Sequence, residues 1–210
     1  MVTLIYPITT KEGFENLKRS LINLEFDLEL GIDILCLVKE GEEELYLECS
    51  DFLRQNYDQG ESLVVYERGD LYKKSQLYIS SKNDLVFLAN EKIVIPPKAI
   101  TTLHGGYLEL PGAGFISGQF VDYPIVYWVE DIYEKKNPKY IYSNEREGEG
   151  RYLEVDASGI YGLITRFENF RDLFYMEDLD KYGHLSYGIR LRRRGYQNYI
   201  DTTIRLTGGQ

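Results

Sequence analysis

The sequence predicts a single α/β domain built on a mainly parallel sheet, and three observations point that way. Residues 85–89, LVFLA, are a continuous apolar run of strand length, as suits a central strand covered on both faces. Ahead of it, strand-like and helix-like segments alternate with short loops. A β-α-β-α-β half is complete by residue 66, which favours a right-handed parallel wind. The chain has 210 residues, 43 % of them hydrophobic and 28 % charged, enough for one real core and ordinary for a globular protein.

The elements follow in order. VTLIY at 2–6 is the first strand, which Pro7 ends. Thr9 and Glu12 stand at capping-box spacing ahead of a helix over 12–24, whose Phe14, Leu17, Leu21 and Leu24 recur on one face. Gly31 turns the chain into a strand over 32–38 that buries Cys36. Lys39-Glu40-Gly41 close that strand, and a helix over 42–55 aligns Leu45, Cys49, Phe52 and Leu53. SLVVY at 62–66 is the third strand. Asp70 is placed to cap a helix over 70–81, with Lys73 and Lys74 in its first turn. The run at 85–89 stops at Asn90-Glu91-Lys92, at the carboxyl end of its strand, where open α/β sheets bind ligands. Pro96 and Pro97 bar any continuation as sheet interior, and the chain restarts as a helix. Glycines and prolines break 103–128 into short strands or loops, with His104 following a helix end. Residues 134–151, polar and charged, read as a surface loop.

Composition excludes several classes. A net charge of −10 argues against nucleic acid as a partner, since phosphate contacts need clustered cations. Arg190, Arg192, Arg193 and Arg194 form the one cationic cluster. It reads either as a solvated helix end, where cations suit the dipole, or as a diphosphate or acidic-acceptor contact. Two cysteines give neither a disulfide framework nor a zinc site. No run approaches the roughly 18 apolar residues of a transmembrane segment. The N-terminus lacks a signal-peptide pattern, so a cytoplasmic location is expected.

Two stretches carry a resemblance. ERGDLYKKSQLYISSKNDLVFLANEKIVIPP (67–97) is similar to the nucleotide-sugar half of a GT-A-fold glycosyltransferase of the family-2-like branch. Val155-Asp156-Ala157-Ser158-Gly159, followed by Arg190-Leu191-Arg192-Arg193-Arg194-Gly195-Tyr196, resembles its carboxyl half. The resemblance implies a Rossmann-like sheet flanked by helices. Residues 1–100 would bind the nucleotide sugar and 101–210 the acceptor.

It also implies roles. Pro7, Thr9 and Thr10 would touch the base, Glu40 and Asp70 the base or ribose, and Lys74 the diphosphate. Asn90-Glu91-Lys92 stands where relatives carry an acidic D-x-D motif, so Glu91 is the one carboxylate left there to hold Mn²⁺ or Mg²⁺. Lys92 is the alternative, stabilising the leaving diphosphate without a metal. The closing strand ends Thr207-Gly208-Gly209, where relatives often place a metal-binding histidine. His104 and Asp156 would line the acceptor side. By spacing from Arg190-Leu191, His184 takes the place of the catalytic base, with Asp180 as the upstream alternative.

The implied reaction is an inverting transfer from a UDP- or GDP-sugar to a glycan or glycoprotein. Plainer readings stand beside it: Glu40 as a solvated turn residue, Lys73 and Lys74 as exposed helix lysines, His184 as a helix-start residue without chemistry. Two further readings of the whole chain stay open. One is a non-catalytic module that binds a nucleotide sugar or glycan, or serves a larger transferase; the other is a nucleotidyltransferase.

Overall fold

The computed structural model describes residues 1–24, 30–58, 60–79, 84–121, 126–130, 139–142, 150–160, 162–173 and 185–208. The elements run β1 (Val2–Ile8), α1 (Lys11–Leu24), β2 (Ile32–Lys39), α2 (Glu43–Asn56), β3 (Ser62–Glu67), α3 (Leu71–Ser75) and β4 (Leu85–Ala89). Then come β5 (Ile93–Val94), α4 (Ala99–Glu109), β6 (Ala113–Phe120), β7 (Val126–Glu130), β8 (Lys139–Tyr142), β9 (Tyr152–Val155) and β10 (Ala157–Ser158). The chain closes with β11 (Gly162–Arg166), α5 (Phe167–Leu173), α6 (Leu185–Arg193) and β12 (Gln197–Gly208).

Among the described residues the main sheet is ordered β3-β2-β1-β4-β11-β6-β12-β5, with β9 also paired to β12. β1, β2, β3, β4, β6 and β12 share one direction; β5, β9 and β11 run against it. The domain is thus a mixed, mainly parallel sheet flanked by helices, as expected. A second, antiparallel sheet is ordered β10-β7-β8.

Every residue of β1 and β4 is buried, which is why their sequences are apolar without alternation. The strand period sorts them to two cores. Val2, Leu4, Tyr6 and Ile8 face α1, α2 and α4, whereas Ile5, Val86 and Leu88 face Leu71 of α3, Phe170 of α5, and Tyr187 and Leu191 of α6. Cys36 and Cys49 are both buried in the first core, and burial pushes the Cys36 thiol well up.

Four expectations are corrected. Pro7 does not end β1. The strand continues to Ile8, paired to β2 alone, because pairing with β4 has already stopped at Ile5. Flanked on one side only, that end tolerates the missing N–H. The third helix is shorter than 70–81: it ends at Ser75, whose hydroxyl turns back to the Tyr72 carbonyl. His104 lies inside α4, which runs through Gly105 and Gly106. A Cβ at Gly106 would meet the Tyr152 hydroxyl at 2.8 Å, so a close approach requires that glycine. Part of the expected loop at 134–151 is strand β8.

Candidate active site

The β4–β5 turn is held by a polar row on α1. Asn16 Nδ2 donates to the Glu91 carbonyl at 2.9 Å. Ser20 Oγ accepts from the Ile95 N–H at 2.9 Å, and Asn23 Nδ2 donates to the Ile95 carbonyl at 2.7 Å. These residues sit at i, i+4 and i+7, one stripe of the helix, so they satisfy backbone groups that a two-residue strand leaves over. Tyr6 adds its hydroxyl, donated to the Ile93 carbonyl at 2.9 Å.

Glu91 itself reaches the start of α1. Its carboxylate accepts from the Thr9 N–H at 2.7 Å, from the Thr9 hydroxyl and from the Thr10 hydroxyl at 3.3 Å. Thr10, not Thr9, caps the helix: its Oγ1 accepts from the Gly13 N–H at 3.1 Å. A negative group here is favoured by the helix dipole. Gly13 makes the approach possible, since a Cβ there would lie 2.6 Å from Glu91 Oε2 and 2.8 Å from Glu91 Cβ. Gly13→Ala is therefore expected to lower the melting temperature by several degrees, although alanine is the better helix former by about 1 kcal/mol. A raised melting temperature in a calorimetric scan would contradict this contact. Asn90 is also engaged locally, its Oδ1 accepting from the Lys92 N–H at 3.0 Å.

Beside this turn a cleft of about 350 Å³ opens at the carboxyl ends of β1, β2 and β4. It brings together Pro7, Thr9, Asn90, Glu91 and Lys92, which the sequence assigned to nucleotide-sugar binding. Lys39, Gly69, Leu71 and Tyr72 complete the lining. Tyr72 donates its hydroxyl to the Ala89 carbonyl at 2.5 Å, which sets the ring against the end of β4. Lys39 and Tyr72 were missed. The signal for Lys39 was its place as the last residue of a buried strand; Tyr72 had none beyond its helix.

The remaining candidates lie elsewhere. Glu40 sits one residue past the cleft in an exposed pair with Arg68 at 3.5 Å. Asp70 caps α3, accepting from the Lys73 N–H at 3.2 Å. Lys74 turns to Glu67 at 3.4 Å. His104 does not face this cleft. It lines a separate one of about 610 Å³ with Met1, Leu85, Tyr107, Pro111 and Arg166, at the amino ends of β1 and β4. Asp156 is likewise committed at the amino end of β12, to Arg192 at 3.1 Å, and its carbonyl accepts from Asn198 Nδ2. The strand directions carry both to the other end of the sheet from this cleft. Of the arginine cluster, Arg190 is buried and Arg192 also pairs with Glu154 at 2.8 Å. His184 and Asp180 lie outside the described residues.

Partial burial, and then the N-terminal ammonium, hold His104 below the ordinary imidazole range. The unfolded chain therefore binds more protons at this site as pH falls past about 6.5, and native stability declines there. An NMR titration of the wild type against His104→Gln should show its imidazole protonating at a lower pH than free histidine.

No protein-family model matches the sequence, and no curated protein does. Solved structures do match in shape. GalNAc-T7, solved with UDP, GalNAc and Mn²⁺, superposes with a TM-score of 0.68 at 10 % identity, over 99 % of this chain and 43 % of that one. The mannosyltransferase PcManGT from Pyrobaculum calidifontis, in complex with GDP-Man and Mn²⁺, gives 0.65 at 10 % identity, over 98 % and 56 %. A 4-diphosphocytidyl-2C-methyl-D-erythritol synthase from Anaerococcus prevotii gives 0.61 at 10 % identity, over 100 % and 89 %. This chain has the GT-A fold. It spans about half the length of the two glycosyltransferases.

A GT-A fold raises the question of a divalent metal. The donors present do not fit one. Mg²⁺ and Mn²⁺ want several free oxygen ligands, carboxylates first. Here Glu91 is spent on Thr9 and Thr10, and the Asn90 oxygen on its own turn. Gly208, in the closing strand, pairs with Ile93 and brings no side chain. Among the described residues no group of three acidic, histidine or cysteine side chains is placed to hold a metal ion. No described helix is long and apolar enough to cross a membrane.

Proposed function

We propose that the protein is a glycosyltransferase that moves a sugar from a UDP- or GDP-sugar to a hydroxyl acceptor on a glycan or glycoprotein. The observation that carries this is the convergence of Pro7, Thr9, Asn90, Glu91 and Lys92 on one cleft, at the strand ends where a GT-A sheet presents its ligand site. In this reading the base and ribose lie against Pro7, Gly69 and Tyr72, and the diphosphate lies toward Lys92. The neighbours solved with UDP or GDP-Man support a nucleoside-diphosphate donor by analogy of fold.

The proposed step is a single displacement with inversion, as in the family-2-like branch. A base removes the acceptor hydroxyl proton, that oxygen bonds to the anomeric carbon, and the bond from that carbon to the diphosphate oxygen breaks with its electron pair. His184 or Asp180 is assigned the base. Incubation with labelled UDP- and GDP-sugars and a mixed glycan acceptor should release nucleoside diphosphate.

A nucleotidyltransferase is the second reading, favoured by the synthase, of which this chain covers 89 %. Such an enzyme must grip a triphosphate and release pyrophosphate. The first turn, where a phosphate-gripping loop would lie, is here two threonines, and the Thr9 N–H goes to Glu91. Pyrophosphate release on incubation with a nucleoside triphosphate and a sugar phosphate would establish the second reading. Nucleotide binding without either product would indicate a non-catalytic module.

A further inference from the structure

We infer that the cleft takes the donor diphosphate without a divalent cation, with Lys39 and Lys92 supplying the positive charge. This rests on the nucleoside-diphosphate reading above and deepens it. The turn that should hold a metal has been turned inward. Glu91 faces the amino end of α1, where one backbone N–H and two hydroxyls take its oxygens, and the missing Cβ of Gly13 makes room for it. Freeing it for a metal would strand the Thr9 N–H and leave a gap over Gly13. The Asn90 oxygen holds the turn closed.

The cleft does not thereby lose its positive charge. Lys92 leaves the same turn, and Lys39 ends the neighbouring parallel strand β2. Both side chains are exposed, and among the described residues neither has an ion-pair partner, although the chain carries a net charge of −10. Surplus carboxylates satisfy cations elsewhere on this surface: Arg68 by Glu40 and Lys74 by Glu67. Two ammonium groups held on separate strand ends and left to face an open cleft match the charge of a diphosphate. They stabilise the leaving group as its charge develops, which is the part a metal plays in other transferases.

The test is calorimetric titration of the full chain with UDP and with GDP, each in Mn²⁺ and in EDTA. The expected result is binding of one nucleotide with a Kd that agrees within about two-fold in the two buffers. Lys39→Ala and Lys92→Ala should each weaken it by about ten-fold or more, the loss of one charge-assisted contact. Glu91→Ala should lower the melting temperature of the nucleotide-free protein, since its partners are the protein's own. Binding in Mn²⁺ that disappears in EDTA overturns the inference and leaves the donor-site reading standing. Metal-indifferent binding unaffected by either lysine variant overturns the assignment of the charge. An unchanged melting temperature for Glu91→Ala, with Mn²⁺ dependence abolished, identifies Glu91 as a ligand and also overturns it. No binding of either nucleotide in either buffer overturns the proposed function itself.

Discussion

Adding one methyl group at Gly188 is expected to cost about 2–3 kcal/mol of stability, or to prevent folding. A Cβ at this position of α6 would meet the Asp156 carbonyl oxygen at 2.5 Å and the Ala157 Cα at 2.7 Å. Both obstacles are backbone, so no rotamer change relieves them. The helix must instead move away from β10. Asn198 opposes that movement, because its Nδ2 donates to the Gly188 and Asp156 carbonyls together, each at 2.9 Å. The gain of about 1 kcal/mol from replacing a helical glycine acts in the other direction and is smaller. Urea denaturation of Gly188→Ala against the wild type measures the balance. A midpoint equal to the wild type would show that α6 does not lie this close to β10.

Asp201→Ala is expected to cost about 3 kcal/mol, and Asp201→Asn distinctly less. Asp201 is a fully buried carboxylate within β12. Its Oδ1 accepts from the Thr203 N–H at 3.0 Å and the Thr203 hydroxyl at 2.5 Å, and its Oδ2 from Arg151 Nε at 3.0 Å. These contacts fix the irregularity between Asp201 and Arg205, past which β12 resumes its pairing with β6. The same strand then reaches Ile93 and Val94, directly after the candidate site. Alanine leaves the Thr203 N–H unpaired inside a bulge, whereas asparagine still offers it an oxygen. Paired denaturation curves for the two variants decide this: equal losses would mean that only the ion pair with Arg151 matters.

The sequence disclosed those parts of the fold whose signal was local. Residues 85–89 read as a central strand because both faces are buried, and Leu17, Leu21 and Leu24 as helix because one face is. Strand-end logic likewise located the turn at 90–92 in the cleft. Side-chain direction was not local. Glu91 reads as a metal ligand in sequence, yet its partners lie about 80 residues earlier. Asn16, Ser20 and Asn23 carried a legible sign, a polar stripe at helical spacing, but what it bonds is set by tertiary packing. That His104 and Asp156 stand away from this cleft was not legible, because a linear motif does not reveal to which end of a strand a neighbouring element returns. The antiparallel β9 and β11, interleaved with parallel strands, decide that.

The inward-facing Glu91 also constrains how this chain can change. Introducing a second acidic residue, as in Lys92→Asp, places a new carboxylate beside one already bonded to Thr9 and Thr10, and removes one of the two ammonium groups. If the proposed donor site is right, such a variant loses the lysine contact to the diphosphate without gaining a metal site. Reaching metal dependence would require at least one more substitution to release Glu91, at Thr9 or Gly13, and that substitution loosens the amino end of α1. The two modes of anion binding are therefore separated by intermediates inferior to both. Under the proposed donor site, no single substitution at this turn is therefore expected to confer metal dependence.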